Sequence, residues 1–250
     1  MKILSWNVNG IRARYNSGYL KQVFDENAEI ICIQEVKASD ETLPKSLKNL
    51  ENHELYLNQY TQPGYAGVAL FTSPKPTEVL RDFSDSDESG RVLIADYNDF
   101  KLYNIYFPAG TGSKEELENK FQFYERFLKT IEKESEENII ISGDFNIAHQ
   151  ELDLPNPKRA CRSAGFLPEE RAYLNRLVDL GFVDSFREFN NDPGNYTWWS
   201  YGRKCRENNI GMRLDYFFVS DSLKNNITNA RIRNDILGSD HCPIELTITF

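Results

Sequence analysis

Where the apolar runs of this chain stop, the residues change to types that bind metals and move protons. ILSWNVN ends in Asn7 and Asn9, IICIQE in Glu35, LYNIYF near Tyr106, and IIISGDFN in Asp144 and Asn146; GMRLDYFF carries Asp215, and GSDHCP sets Asp240 and His241 before the last run. A β-branched run bounded by glycine reads as a buried strand, and residues two apart then leave its end on one face. Any one of these residues alone reads as a turn cap. Together they supply carboxylates and amides on stiff strand ends, which suits a hard divalent cation and a phosphate. Hydrolysis of a phosphodiester needs charge neutralised, a water placed in line and the leaving oxygen stabilised. On that chemistry Glu35 holds Mg²⁺, Asp144 orients or deprotonates the water, and Asn146 holds the same water or the phosphate. His241 donates to a phosphate oxygen, and Asp215 fixes its tautomer and charge. Tyr106 and Asp240 have the weakest individual case, since a strand-end tyrosine is more often a rim aromatic.

The elements that must position these groups follow from periodicity. Strands are expected over Lys2–Trp6, Ile30–Gln34, Gly67–Thr72, Arg91–Tyr97, Lys101–Phe107, Ile139–Gly143, Leu214–Val219 and Ile244–Thr249. Helical patterns lie over Ser17–Glu26, over Lys114–Ser135 with Leu117, Phe121, Tyr124 and Leu128 on one face, and over Pro168–Leu180. Apparent hairpins around Asp99 and near Tyr65 point to mixed rather than purely parallel sheets. The acidic runs DFSDSDES and EKESEE read as solvated turns and helix ends. No repeat or linker divides the 250 residues, so residues 1–250 are expected to form a single domain.

Bulk properties narrow the function classes. No apolar stretch approaches the roughly 20 residues of a membrane span, and MKILSWNVNG turns polar too soon for a signal peptide. A cytoplasmic location and no membrane partner are therefore expected. Cys32, Cys161, Cys205 and Cys242 are scattered without zinc or disulfide spacing and read as reduced thiols. With 29 basic against 38 acidic residues the net charge is -9, so a polyanion must be met by metal or by a local basic face. KRACR at 158–162 and GRKCR at 202–206 are the candidates for such a face. Of the histidines, His53 reads as surface and His149 as a loop residue bonded to Asp153. Only His241 has the context of a reactive group.

The ordered series SWNVNGIR, IQEVK, GYAGVAL, NIYFPAG, GDFNIAH, GFLPEER, YTWWSY, RLDYFFV and GSDHCP resembles that of the exonuclease III family of apurinic/apyrimidinic endonucleases, from residue 3 to residue 249. Asn7, Glu35, Asp144, Asn146, Asp240 and His241 alone would resemble the wider metal-dependent superfamily, which includes inositol phosphate phosphatases. GFLPEER, YTWWSY and RLDYFF narrow it to the DNA-repair branch. The resemblance implies an α/β fold, a four-layer α/β/β/α sandwich of two mixed β-sheets flanked by helices. It implies Mg²⁺-dependent cleavage 5′ to abasic sites in double-stranded DNA, with Mn²⁺ as a substitute, and 3′-phosphodiesterase, 3′-phosphatase and 3′-to-5′ exonuclease activity on blocked ends. Carried over by motif, Asn7, Glu35 and Asp240 serve the metal, with Asp144 and Asn146 facing it through the attacking water. Tyr106 contacts the scissile phosphate, and His241 with Asp215 the phosphate or transition state. Arg12, Lys37 and Tyr65 match the DNA face; Trp198 and Leu214 match the pocket for an extruded sugar, which costs least to extrude when it carries no base. Gly202 stands where relatives carry a bulky wedge, so Arg203 is expected to take over that contact. Met212 replaces a frequent Trp, and Ala109 a frequent Asn or Gln. A monomer is the expected state. A lipid or inositol phosphate hydrolase and a non-catalytic nucleic-acid-binding regulator on the same fold are the competing readings; binding without cleavage in Mg²⁺ would favour the second.

Overall fold

A computed structural model describes residues 1–61, 64–83, 89–134, 137–202 and 204–250. Its strands run in chain order as β1 (Lys2–Asn7), β2 (Ile30–Gln34), β3 (Glu54–Asn58), β4 (Val68–Thr72), β5 (Glu78–Leu80), β6 (Val92–Asp96), β7 (Lys101–Tyr106), β8 (Ile139–Asp144), β9 (Phe182–Asp184), β10 (Asp215–Ser220), β11 (Ile227–Ile232) and β12 (Ile244–Ile248). They form two six-stranded sheets, ordered β11-β12-β1-β2-β4-β3 and β5-β6-β7-β8-β10-β9. Each sheet has one parallel pair, β1 with β2 and β7 with β8, among antiparallel neighbours. The helices are α1 (Ile11–Asn16), α2 (Tyr19–Phe24), α3 (Lys45–Lys48), α4 (Lys114–Lys133), α5 (Pro157–Ala160) and α6 (Pro168–Asp179).

Alternation of side chains along each strand explains the four layers. In β2, Ile30 and Cys32 join the core between the sheets, while Ile31 and Ile33 pack outward with α1, α2 and α3. In β8, Ile140 faces the inter-sheet core and Ile139 and Ile141 face α4 and α6. A strand covered on both faces needs apolar residues at every position, which is why IIIS lacks the alternation of a half-solvated strand. This is the mixed-sheet α/β/β/α sandwich expected from the sequence.

Several expectations are corrected in detail. The helix expected over Ser17–Glu26 is two helices starting earlier, at Ile11, and broken at Gly18, whose φ of 78° a helix interior does not tolerate. On α4 the buried face is Lys120, Phe123, Tyr124, Phe127, Leu128 and Ile131, with Leu117 and Phe121 only half-buried. Ser113 caps this helix by accepting the Glu116 N–H at 3.1 Å. Strands β3, β5, β9 and β11 were not expected. β3 and β5 are half-exposed edge strands, β9 spans three residues, and β11 carries a bulge between Ile227 and Asn229 that breaks its period of two. Of the two acidic runs, residues 84–88 and 135–136 lie outside the described residues.

Candidate active site

Strand register assembles the site. Tyr106 pairs with Asp144 across β7 and β8, and Asp144 with Asp215 across β8 and β10, so the three stand in one row at the end of the second sheet. In the facing sheet Asn7 ends β1 beside Gln34, and Glu35 follows one residue later. Asn7 closes the gap between the sheets: its Nδ2 donates to Glu35 Oε1 at 2.8 Å and to Asp144 Oδ2 at 2.8 Å. His241 comes from the segment before β12, with Nδ1 2.8 Å from Asp215 Oδ2 and Nε2 3.7 Å from Asp144 Oδ2. Its backbone is fixed by the Trp6 indole, which donates to the His241 carbonyl at 3.1 Å. Asn9, Glu35, Lys37 and Asn146 all adopt left-handed backbone conformations with φ between 45° and 53°. Such conformations cost roughly 1–2 kcal/mol for an ordinary L-residue and gather where function holds them.

The charges act on one another strongly because Asp144, Asp215 and His241 are buried. Burial pushes the Asp144 carboxyl up to about 7, with Asp215 and Glu35 adding to it while His241 and Asn7 oppose. Burial works against a charged His241, but the Asp215, Asp144 and Asp240 carboxylates overcome it and raise the imidazole to about 10. The imidazolium is thus the form held at neutral pH. Burial, then Glu35 and Asp144, push the Tyr106 phenol well above its ordinary range, so it stays a hydrogen-bond donor.

Glu35, Asp144 and His241 each present a ligand atom, and these atoms lie within 4.8 Å of one another. Glu35 and His241, from opposite ends of the chain, therefore share one cleft. The two carboxylates of this group supply hard oxygen ligands that fit a divalent cation, while a charged His241 beside them is a donor to an anion. A positive group already sits beside the glutamate: Lys37 Nζ lies 2.6 Å from Glu35 Oε2 and 2.6 Å from Asn9 Oδ1. Asp240 stands one step away. Its Oδ1 accepts from Asn9 Nδ2 at 3.0 Å, Ser239 Oγ at 3.2 Å and Tyr201 OH at 3.3 Å, and its Oδ2 from Trp198 Nε1 at 3.1 Å.

The remaining expected residues divide between this cleft and its surroundings. Asn146 is in the cleft, its N–H donating to Asp144 Oδ1 at 2.9 Å. Trp198 and Leu214 join an apolar cluster with Phe166, Leu154 and Met212. Trp198 and Met212 wall a cavity of about 330 Å³ there; Leu214, 6% exposed, belongs to the cluster's core. Tyr65 is exposed, as is Arg12, while Arg203 lies outside the described residues. Lys158, Arg159 and Arg162 are exposed. Arg206 is otherwise employed: it donates to Ser239, Asn234 and Ile236 carbonyls and lies 4.7 Å over the Trp199 ring. His149 bonds Asn175 Oδ1 at 2.8 Å instead of Asp153, which Arg213 and Arg187 hold. His53 is half-buried on Phe24, with Nε2 2.9 Å from the Ala28 carbonyl.

Arg91 was missed. It lies over the Tyr106 ring at 4.6 Å and donates to Tyr65 OH at 3.1 Å, joining the site to a groove of about 940 Å³ along α4. Its signal was a cation opening the strand beside the Tyr106 strand. That groove is the larger space, yet the carboxylates and imidazole lie outside its walls, and chemistry rather than volume locates the site.

A family model described as the endonuclease/exonuclease/phosphatase family matches residues 4–241. The chain is 40% identical to an exodeoxyribonuclease of Bacillus subtilis, with 99% of each covered. It is 37% identical to the DNA repair nuclease APEX1 of Danio rerio, over 98% of this chain and 81% of that one. Its fold superposes on a 3′ phosphatase from Neisseria, solved with a product DNA hairpin, with a TM-score of 0.91, 24% identity and 100% of both chains covered.

Proposed function

The chain belongs to the endonuclease/exonuclease/phosphatase family, in its exonuclease III branch, and from that premise we propose that it is a DNA repair nuclease cleaving the phosphodiester 5′ to abasic sites. The same centre would trim 3′-phosphates and other blocked 3′ ends, and act as a 3′-to-5′ exonuclease. The observation that carries this reading is the convergence of Glu35, Asp144 and His241 on one cleft, with ligand atoms within 4.8 Å.

Roles follow from position. Mg²⁺, or Mn²⁺ in its place, would be held by Glu35 with Asn7, Asp144 and Asn146 around it and Asp240 at the margin; when bound it supplies charge neutralisation at the phosphate. Asp144, with its raised carboxyl, takes the water's proton while Asn146 keeps that water in line. The water oxygen bonds phosphorus, the P–O3′ bond breaks, and the leaving oxygen becomes a 3′ hydroxyl with a proton from solvent. His241, charged and braced by Asp215, donates to a non-bridging phosphate oxygen, as does the Tyr106 phenol. Such preset donors in a buried cleft stabilise developing charge without reorganising.

Lys37, Arg12, Tyr65 and the exposed Lys158, Arg159 and Arg162 would meet DNA phosphates, which reconciles a net charge of -9 with a polyanionic substrate. Arg203 is assigned to the duplex contact left open by Gly202, and Trp198 and Leu214 to the abasic sugar. We assign all of this to one catalytic domain over residues 1–250, acting as a cytoplasmic monomer. Among the described residues no helix is long and apolar enough to cross a membrane.

A labelled duplex panel carrying an abasic site, a 3′-phosphate or undamaged ends tests the reading. Cleavage of the abasic strand, lost in EDTA and restored by Mg²⁺, is expected. Binding without cleavage in Mg²⁺ would overturn it.

A further inference from the structure

The turn after β8 carries Asn146, and its successive carbonyls are each held from behind by a buried side chain. Tyr124 OH donates to the Phe145 carbonyl at 2.5 Å, Lys120 Nζ to the Asn146 carbonyl at 2.8 Å, and Tyr216 OH to the Ile147 carbonyl at 2.9 Å. Lys120 and Tyr124 are four apart on α4 and so share its inward face. Lys120 is fully buried and also donates to the Ala109 carbonyl at 3.1 Å and to Glu170 Oε1 at 2.5 Å. Glu170, equally buried, uses Oε2 to accept the Gly165 N–H at 2.7 Å and the Leu167 N–H at 2.9 Å. These N–H groups flank Phe166, which lines the 330 Å³ cavity.

A buried ion pair is a poor source of stability compared with an apolar pair of the same volume, and its best-attested use is to fix one arrangement among several. This pair joins four segments: the loop after β7 through the Ala109 carbonyl, the turn after β8 through the Asn146 carbonyl, α4 and the start of α6. Asn146 needs such fixing, since its φ of 53° is left-handed and its side chain must stay aimed while its own N–H engages Asp144. Gly110 beside it leaves room for the lysine stem, because a Cβ there would lie 2.9 Å from Lys120 Cδ.

We propose that Lys120, paired with Glu170, is a positioning residue for the hydrolysis: its ammonium grips the Asn146 carbonyl and so sets the Asn146 amide that holds the water. The assignment rests on the nuclease reading above. It touches no substrate, and its effect passes through Asn146.

That route makes a double-mutant cycle decisive, because residues acting through one another do not add. Nicking of an abasic duplex in Mg²⁺ would be measured for the wild type, Asn146→Ala, the neutral pair Lys120→Met with Glu170→Gln, and all three changes together. Melting curves check that each is folded. Removing both charges avoids leaving one buried alone. The neutral pair is expected to lower kcat by about 10- to 100-fold, the range seen when groups supporting an active residue are lost, with KM within about threefold. Added to Asn146→Ala, it should cost less than about threefold more. A second neutral pair, Lys120→Gln with Glu170→Gln, keeps polar groups at both positions without burying a lone charge and is read in the same cycle, so the outcome does not depend on the methionine variant folding. An unchanged kcat, or a loss that multiplies in full on top of Asn146→Ala, overturns the assignment. A wild type that cleaves no member of the panel overturns the nuclease reading instead.

Discussion

Asp144→Asn should make the metal-free protein harder to melt while nearly abolishing its activity. Asp144 is 1% exposed, and burial raises its carboxyl from an ordinary 3.8 to about 7. An acid whose folded value lies above its unfolded value binds its proton more tightly in the fold. Ionising it therefore destabilises the fold, fully above the folded value and not at all below the unfolded one. At about 1.36 kcal/mol per tenfold in the proton equilibrium, keeping this carboxylate charged above pH 7 costs on the order of 4 kcal/mol. An amide of the same shape escapes that cost. It gives back about 1–3 kcal/mol because its NH2 cannot accept from Asn7 Nδ2 or the Asn146 N–H as a carboxylate oxygen does, the pull of His241 being already inside the raised value. A net gain of about 1–3 kcal/mol remains, or roughly 2–10 °C in Tm for a chain of this length. Calorimetry in EDTA at pH 8 measures it, and the gain should shrink as pH falls from 7 towards 4, where wild-type Asp144 takes up its proton. Nicking in Mg²⁺ should drop about 100- to 10,000-fold, the usual contribution of a positioned general base. A variant that melts below wild type in EDTA at pH 8, or nicks within tenfold of it, would refute the assignment of Asp144.

Asp215→Asn keeps the shape beside His241 but removes a charged hydrogen bond of about 1.5–3 kcal/mol, so kcat should fall about 10- to 150-fold in steady-state nicking with little change in KM. Trp198→Phe keeps a ring in the cavity wall and deletes the N–H that donates to Asp240 Oδ2 at 3.1 Å; KM for an abasic duplex should rise about 2- to 10-fold, with kcat less affected. Asp153→Asn tests the support behind the turn. Burial works against the Asp153 charge, but Arg213, the Gln150 N–H and Arg187 hold its carboxyl below the usual range, so its stabilisation is complete above about pH 4 and fades as pH falls through the lower folded value. The variant should lose about 3–5 kcal/mol at pH 7 by denaturant melting, and its deficit against wild type should narrow only in strong acid.

What the sequence reveals here depends on whether a residue's neighbours along the chain are also its neighbours in space. The isoleucines of β8 and the Asp144 and Asn146 beyond them are adjacent in both senses, so the strand and its polar end could be read together. Lys120 could not. A lysine within an apolar stripe reads as the stripe's polar margin, and only Glu170, fifty residues away, makes its burial tolerable. Arg206 failed in the opposite direction: it sits in a basic cluster, yet carbonyls of the segment before β12 take its donors. β11 was hidden by its bulge, and β3 and β5 by the mixed composition of edges that face water.

The site also depends on a fit that no strand determines by itself. Glu35 and Asn7 belong to one sheet, Asp144, Asp215 and Tyr106 to the other, and apolar packing alone would let two sheets slide over one another by small amounts. Directional bonds resist that sliding. Gln34 Nε2 donates to Asn104 Oδ1 at 2.8 Å and to Ser5 Oγ at 3.0 Å, and Asn104 Nδ2 donates back across the gap to the Ala69 carbonyl at 2.9 Å. All three side chains are buried in the layer directly behind Asn7 and Glu35. Polar residues there carry a desolvation cost that leucine would avoid, so their contribution is registration, not net stability. The Asn7 bridge from Glu35 to Asp144 is the last rung of the same ladder. The Glu35 and Asp144 carboxylates therefore keep their spacing because the sheets that carry them are pinned immediately beneath.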